Sequence, residues 1–289
     1  MKKLLLMISS AMMLIGCVAV GNENSKGTNN GKSLVSDENF TNIKATSLDL
    51  KPGHPVLAIH KDRIPELMSK KIEEVEFVNY FPATIVSVGP EKTIVKSSYD
   101  GEYEVPNFLI IPLAIEEKVK NGDILLATLP HTSGIRKAIV VDDSNPIQPK
   151  VHFFTEYMEA SETNFESTIV ELTSNSYRKI SNKWDIGSNV ALYGMYGYES
   201  HIVVHVTDKK VITQRSYNTI LVYDKDKVIP LEPTIKLQKG KTYFASTGLE
   251  FNESEVIEDF PKYGRALMKN LVTGYQFYAP YGEFIENLK

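Results

Sequence analysis

The single cysteine of the chain, Cys17, is the residue whose position most clearly suggests covalent chemistry. It follows two basic residues, Lys2 and Lys3, and an apolar run of twelve residues, Leu4–Ile15, interrupted only by two serines. A mature membrane-spanning helix needs about 20 apolar residues, so this run is too short to cross a bilayer. A basic start, an apolar middle and a small residue before the end predict a cleaved signal peptide over residues 1–16.

The end of this segment, Leu14-Ile15-Gly16-Cys17, resembles the lipobox of bacterial lipoproteins. The resemblance covers only the first 17 residues. It implies that a lipoprotein signal peptidase cuts after Gly16, that the Cys17 thiol carries a diacylglyceryl thioether and that its freed amine is acylated. Each buried methylene contributes about 0.8 kcal/mol, so two or three chains would anchor the protein in a bilayer. In enteric bacteria an aspartate after the cysteine favours the inner membrane, so Val18 favours the outer membrane.

Tyrosine clusters are the second group of residues with recognisable binding chemistry. One lies between Tyr193 and Tyr198 and includes Tyr196, and the other, around Tyr278, closes the chain. A tyrosine offers a flat face for stacking and a hydroxyl for hydrogen bonding, so exposed clusters suit sugars, peptides or cations. We take Tyr193, Tyr196 and Tyr278 as candidate ligand-binding residues. The alternative is that these rings pack the core, which is what we expect of Tyr80 and Tyr198.

No catalytic or metal-binding signature accompanies these residues. His201 and His205 share a face of a predicted strand but stand about 13 Å apart, too far to bind one metal. Turn formation explains the acidic pairs as well as cation binding does; they are Glu73-Glu74, Asp142-Asp143 and Asp224-Lys225-Asp226. The chain has no Gly-x-Ser-x-Gly motif and no glycine-rich phosphate loop. We therefore expect no catalytic residue, no bound metal and no cofactor.

Composition limits the remaining functions. The chain has 289 residues, of which 42% are hydrophobic and 24% charged, as in an ordinary globular protein. The net charge of −4 gives no bulk attraction to nucleic acid, so we expect no nucleic-acid partner. Residues 17–47 are polar and rich in glycine and asparagine, which predicts a lipidated flexible tether.

The body that follows the tether contains an internal repeat. A shift of 118 residues aligns residues 80–127 with residues 198–245 without a gap, and 13 of these 48 positions are identical. The identical pairs include Tyr80 with Tyr198 and Gly122 with Gly240. We predict two homologous halves, residues 48–172 and 173–289.

The elements that position these residues are predicted to be short strands. Alternating, β-branched segments such as residues 83–88 and 201–206 are separated by turn signals about every ten residues. A glycine-led strand ending in alanine, followed by a second strand, resembles small SH3-like barrels of the Tudor kind. That resemblance implies an all-β body with four small barrels, two in each half, and two β-sandwich-like domains are the alternative.

One helix is also predicted, although it disagrees with the repeat. Pro65 suits a first helical turn, and Leu67, Met68, Ile72 and Val75 would share one face. The segment aligned with it, residues 186–193, is typical of a strand.

These patterns predict a cell-envelope lipoprotein, attached to a bilayer through acylated Cys17. Its body would be a binding or structural module for an envelope protein or a cell-wall component. The alternative is an envelope hydrolase with a carboxylate site at a junction between barrels.

Overall fold

The computed structural model describes residues 43, 48–69, 78–128, 134–154, 165, 169–194, 197–215, 219–246 and 250–286. Four antiparallel sheets of five strands account for most of these residues. The longest of the described helices, α1 (Ile64–Ser69), has only six residues. The predicted all-β fold of small barrels in tandem is therefore confirmed. The signal peptide, Cys17 and the tether lie outside the described residues.

The first two sheets follow each other along the chain. The first consists of β1 (Pro55–Ile59), β2 (Tyr80–Val88), β3 (Lys92–Ser97), β4 (Gly101–Pro106) and β5 (Ile110–Pro112). The second consists of β6 (Ile124–Ala127), β7 (Arg136–Asp142), β8 (Lys150–Phe153), β9 (Ile169–Glu171) and β10 (Tyr177–Ile180).

The third and fourth sheets complete the body. The third consists of β11 (Asn189–Tyr193), β12 (Tyr198–Val206), β13 (Lys210–Arg215), β14 (Ile220–Asp224) and β15 (Ile229–Pro230). The fourth consists of β16 (Thr242–Ser246), β17 (Phe251–Phe260), β18 (Arg265–Asn270), β19 (Gln276–Pro280) and β20 (Phe284–Ile285). Short 3-10 helices occur at Lys61–Arg63, Asn107–Leu109, Lys225–Lys227 and Pro261–Tyr263.

All four sheets share one topology. The order is fourth, third, second, first and fifth strand in each, so consecutive strands form hairpins and the last strand returns beside the first. The second strand carries an irregularity in register at the same place each time, at Val86, Val141, Val204 and Ile257. An extra residue bends a strand and increases its twist, which is what a sheet needs to curl into a small barrel.

A glycine turn begins each barrel. The backbone amides of Gly53, Gly122, Gly187 and Gly240 donate to the second strand of their barrel over 2.8–2.9 Å, and all four have φ between 80° and 97°. Residues other than glycine rarely adopt this backbone conformation. The turn therefore explains why a glycine precedes the first strand of each barrel. Gly53 was missing from the sequence-based repeat although it begins the same pattern, ending in Ala58.

The insertion between β1 and β2 resolves the conflict between the repeat and the predicted helix. Strands β2 and β12 are related by the 118-residue shift, whereas β1 begins at Pro55 and β11 at Asn189, 134 residues later. The connection between β1 and β2 is therefore longer by 16 residues, and it contains α1 with Pro65 in its first turn. Ile72 and Val75 of the predicted helical face lie outside the described residues.

The predicted boundary between the halves falls inside the second sheet. Strand β10 pairs with β6, from Tyr177 opposite Ala127 to Ile180 opposite Ile124. The second barrel therefore continues beyond residue 172 to Ile180.

Candidate functional site

The first hairpin of the third barrel ends in a pair of tyrosines, of which one is exposed and the other half-buried. Tyr193, the last residue of β11, lies opposite Tyr198, the first residue of β12. Their ring centroids are 5.3 Å apart with the planes at 80°, which is an edge-to-face contact. Tyr193 is 61% exposed, whereas Tyr198 is half-buried against a small apolar cluster that includes Leu231 and Phe251. The pair presents a fixed aromatic surface to solvent.

The equivalent pair in the first barrel is completely buried. Ile59 lies opposite Tyr80 at the same place in the β1–β2 hairpin, and neither has any exposed surface. The longer connection between these strands adds Leu67 and Val78, both fully buried, to the core cluster that contains Ile59 and Tyr80. The β11–β12 connection of the third barrel has only four residues, and in the part of the chain that the structure describes Tyr193 is left exposed.

Charged side chains occupy the opposite face of β12. The Arg215 guanidinium approaches both carboxylate oxygens of Glu199, with Nη2 3.0 Å from Oε1 and Nε 2.9 Å from Oε2. The imidazole of His201 lies 3.6 Å from Glu199 Oε2 through Nε2, and its Nδ1 is 3.1 Å from the hydroxyl of Thr213. We call Glu199, His201, Thr213 and Arg215 the β12–β13 polar network.

Burial and charge set the protonation of this network. The imidazole of His201, and then the guanidinium of Arg215, hold the pKa of the Glu199 carboxyl below its usual value. Burial lowers the pKa of His201, although the neighbouring Glu199 opposes this effect. Near neutral pH the network therefore contains a carboxylate paired with a guanidinium and a neutral imidazole.

The loop after β11 is shaped around this carboxylate. A Cβ atom on Gly194 would lie 2.5 Å from Glu199 Oε1, so any larger residue there would have to displace this carboxylate. The Gly194 amide donates to the carbonyl of Gly197 over 2.7 Å and closes the loop. The polar network thus supports the loop whose two ends carry Tyr193 and Tyr198.

The first barrel shows that the fold does not require this network. At the positions equivalent to the network and to the neighbouring Tyr223, the first barrel has Phe81, Ala83, Val95, Ser97 and Val105. A buried ion pair contributes little net stability, because desolvation offsets the attraction. The third barrel has charged side chains at positions where the first barrel folds with a mainly apolar lining. We therefore take the third barrel as the candidate site. Comparing the repeats position by position would have revealed these residues in the sequence.

The order Thr213, His201, Glu199 resembles a nucleophile, a base and an acid, but it cannot act as a hydrolase site in this arrangement. Thr213 has no exposed surface, and His201 is 1% exposed. A substrate carbonyl would have to reach the Thr213 hydroxyl, which is buried inside the barrel.

The structure separates the three tyrosines singled out from the sequence. Tyr193 is exposed, whereas Tyr278 is only 5% exposed and packs edge-on against Phe165 and Phe260 at 5.1 and 5.8 Å. Burial, and then the charge of Glu258, raise the pKa of Tyr278. Tyr278 thus belongs to an aromatic core cluster rather than to a surface, and Tyr196 lies outside the described residues.

The histidines and acidic pairs have structural surroundings. His205 is buried, and that burial lowers its pKa to about 4. Asp142 contacts Lys150 at 3.1 Å and accepts from the Ser144 amide over 3.0 Å, while Asp224 contacts Lys210 at 3.0 Å. Glu73 and Glu74 lie outside the described residues. Within the residues the structure describes, no group of three or more histidine, cysteine or acidic side chains could hold a metal.

A second buried polar group joins the barrels to one another. The ammonium of Lys137 lies 3.6 Å from the carboxylate of Glu283, which also accepts a hydrogen bond from the side-chain Nδ2 of Asn189 over 3.2 Å. Arg265, fully buried, donates to His152 Nε2 over 3.1 Å. These contacts connect the second, third and fourth barrels. We therefore assign them a structural role.

Comparison with protein-family models and with curated proteins finds no match for this chain. In the described part of the chain, no helix has the length and apolar character needed to cross a membrane.

Proposed function

We propose that this protein is a cell-envelope lipoprotein, anchored to a bilayer through acylated Cys17, whose body binds an envelope protein or cell-wall component. The lipobox resemblance of Leu14-Ile15-Gly16-Cys17 supports the anchor, and Val18 favours the outer membrane. The body acts by binding, without a catalytic step.

The observation that carries the binding function is the uncovered tyrosine pair. An edge-to-face pair exposed on one side is a rigid anchor, because each ring has few rotatable bonds to immobilise when a partner binds. The polar network on the other face of β12 supports the loop, so the surface is formed before a partner arrives. Aromatic anchors of this kind contribute most of the binding energy in many interfaces.

The anchor is tested by mass spectrometry of the protein isolated from membranes. We expect a mature chain that begins at Cys17 and carries the mass of a diacylglyceryl group, with or without a third acyl chain. A Cys17→Ser chain should keep its signal segment and carry no lipid. A mature wild-type chain without acyl mass would reject the anchor.

The binding function is tested separately, on purified protein in detergent. Wild-type and Tyr193→Ala chains are compared for sedimentation with envelope fractions and with isolated cell-wall sacculi. We expect at least one fraction to retain the wild-type protein about tenfold better than the Tyr193→Ala variant. Equal retention of both chains by every fraction would reject the tyrosine pair as the binding surface.

A further inference from the structure

A cleft of about 610 Å³ lies between the first and second barrels, and neither tyrosine of the pair lines it. Its floor is the outer face of the first sheet, where Pro55, Thr84 and Lys96 lie side by side on three neighbouring strands. The turn after β9, Leu172–Ser176, forms the opposite wall. Ligand pockets commonly enclose about 300–1,000 Å³, so the cleft can hold a small ligand.

The wall of the cleft is fixed by hydrogen bonds. Ser176 donates to the Thr173 carbonyl over 2.7 Å, and Asn175 accepts from the Glu116 amide over 3.0 Å. Asn175 and Glu116 have φ of 68° and 50°, and they are the non-glycine residues of the described chain in this region of backbone space. Backbone held in a rarely populated conformation occurs preferentially at binding sites, because the surroundings must stabilise it.

The first barrel is held to that wall. The Ala114 amide donates to the Tyr177 carbonyl over 2.9 Å, and the Arg178 guanidinium donates to the Pro112 carbonyl over 3.0 Å. Both sides of the cleft are therefore preformed, and a ligand need not order them.

The lining is rich in hydroxyl groups. Those of Thr84, Ser98 and Ser174 make no hydrogen bond to any residue that the structure describes. Tyr99 is 71% exposed at the edge. As far as the chain is described, Lys96 is the charged residue of the lining, and its ammonium lies 3.8 Å from the carboxylate of Glu102, which is outside the lining.

This chemistry suits a saccharide better than a peptide or a nucleic acid. Strands β1, β2 and β3 are interior strands of the first sheet, so their backbone groups are already paired and cannot add a peptide strand. One lysine cannot hold a phosphate backbone. Neutral hydroxyls, an exposed tyrosine ring and one ammonium match sugar hydroxyls, the apolar face of a pyranose and an acidic substituent.

We propose that this cleft binds a saccharide, with Tyr99 stacking on a sugar ring, Thr84 and Ser98 hydrogen-bonding its hydroxyls and the Lys96 ammonium donating to an acidic group in place of Glu102. This goes beyond the proposed function, because it assigns a second surface and a chemical class of ligand. The saccharide site and the tyrosine pair can therefore fail independently.

The test is calorimetric titration of the full mature protein in detergent. The probes are a neutral N-acetylglucosamine tetramer and an acidic disaccharide of N-acetylglucosamine and N-acetylmuramic acid, with an alanine pentapeptide as a control. We expect saturable binding of both saccharides, with affinity lowered about tenfold by Tyr99→Ala and about fivefold by Thr84→Val. Lys96→Gln should weaken binding of the acidic disaccharide only, and Tyr193→Ala should change neither titration.

Several outcomes would overturn the proposal. These are absence of saturable saccharide binding, wild-type affinity in both Tyr99→Ala and Thr84→Val, or preferential binding of the pentapeptide. Because all three substituted residues are exposed, the variants should fold, and unfolding curves that match the wild type would confirm this.

Discussion

The first and third barrels have the same topology and the same strand register, yet they treat the end of their first hairpin in opposite ways. In the first barrel Ile59 and Tyr80 are fully buried, and the longer β1–β2 connection adds Leu67 and Val78 to their cluster. In the third barrel Tyr193 is 61% exposed. The same hairpin end is therefore packed into the core in one barrel and exposed to solvent in the other.

The inner faces of the two barrels differ in the same sense. The first barrel has Ala83 and Val95 where the third has His201 and Thr213. Buried polar groups must be hydrogen-bonded or paired to be tolerated, and Glu199 and Arg215 meet this requirement as an ion pair, whereas His201 Nε2 has no hydrogen-bonding partner among the described residues. The third barrel therefore has less apolar packing inside the same hairpin that carries the exposed Tyr193.

The largest difference in unfolding free energy should appear when the side chain at each hairpin end is replaced by alanine. Ile59→Ala removes a fully buried side chain and should lower the free energy of unfolding by about 3 kcal/mol. Tyr193→Ala removes a mostly exposed one and should cost less than about 1 kcal/mol. Urea unfolding measures both, and equal losses would mean that the tyrosine is not exposed in solution.

Acid should destabilise the third barrel through a residue that the first barrel lacks. Burial lowers the pKa of His205 from 6.5 to about 4, and its counterpart in the first barrel is the exposed Ser87. Between these pH values the unfolded chain binds the proton and the folded chain does not. The free energy of unfolding should therefore fall as pH drops from 6.5 towards 4, by up to about 3 kcal/mol.

The variant His205→Ser isolates this contribution. Its unfolding free energy should depend less on pH over that interval than that of the wild type. Identical pH profiles for wild type and His205→Ser would contradict the assignment.

Breaking the polar network should have a somewhat smaller effect. Arg215→Met leaves the Glu199 carboxylate, only 8% exposed, without its guanidinium and should cost about 2 kcal/mol, limited by the partial exposure of Arg215. Substituting the network by its first-barrel counterparts, Glu199→Phe with His201→Ala, Thr213→Val and Arg215→Ser, should restore much of the loss. If the free energy of unfolding of the Arg215→Met variant equalled that of the wild type, the ion pair between Glu199 and Arg215 would not be formed in solution.

The smallest expected effect concerns the tyrosine shared by the two barrels. The Tyr80 hydroxyl is buried without a hydrogen-bonding partner in the described residues, and burial raises its pKa. Tyr80→Phe removes this unsatisfied group and should stabilise the protein by about 1 kcal/mol. Tyr198→Phe should leave stability nearly unchanged, and a destabilised Tyr80→Phe variant would indicate a partner for the hydroxyl.

Much of the fold could be predicted because it depends on local signals. Alternating β-branched segments, glycine turns and the 118-residue repeat led to an all-β body of small barrels, and the structure confirms this. The boundary near residue 172 could not be placed, since β10 is assigned to the second sheet by its pairing with β6 and not by any local pattern.

The candidate site was less predictable because it depends on burial. Tyr193 and Tyr278 occur in similar tyrosine-rich segments, and only tertiary packing against Phe165 distinguishes the buried ring from the exposed one. The pairing of Glu199 with Arg215 depends on the register of β12 with β13, which places residues 16 positions apart in contact. The sequence pattern gives each strand but not this register.

Site-specific photocrosslinking in living cells tests the central claim most directly. A benzophenone side chain replaces Tyr193 in one chain and, in a control, Lys209, which is exposed in the turn between β12 and β13 of the same barrel. We predict a discrete adduct from position 193 that Tyr198→Ala abolishes and that position 209 does not form. Adducts that are identical at the two positions, or no adduct at position 193, would contradict the proposal that the uncovered tyrosine pair is the binding surface.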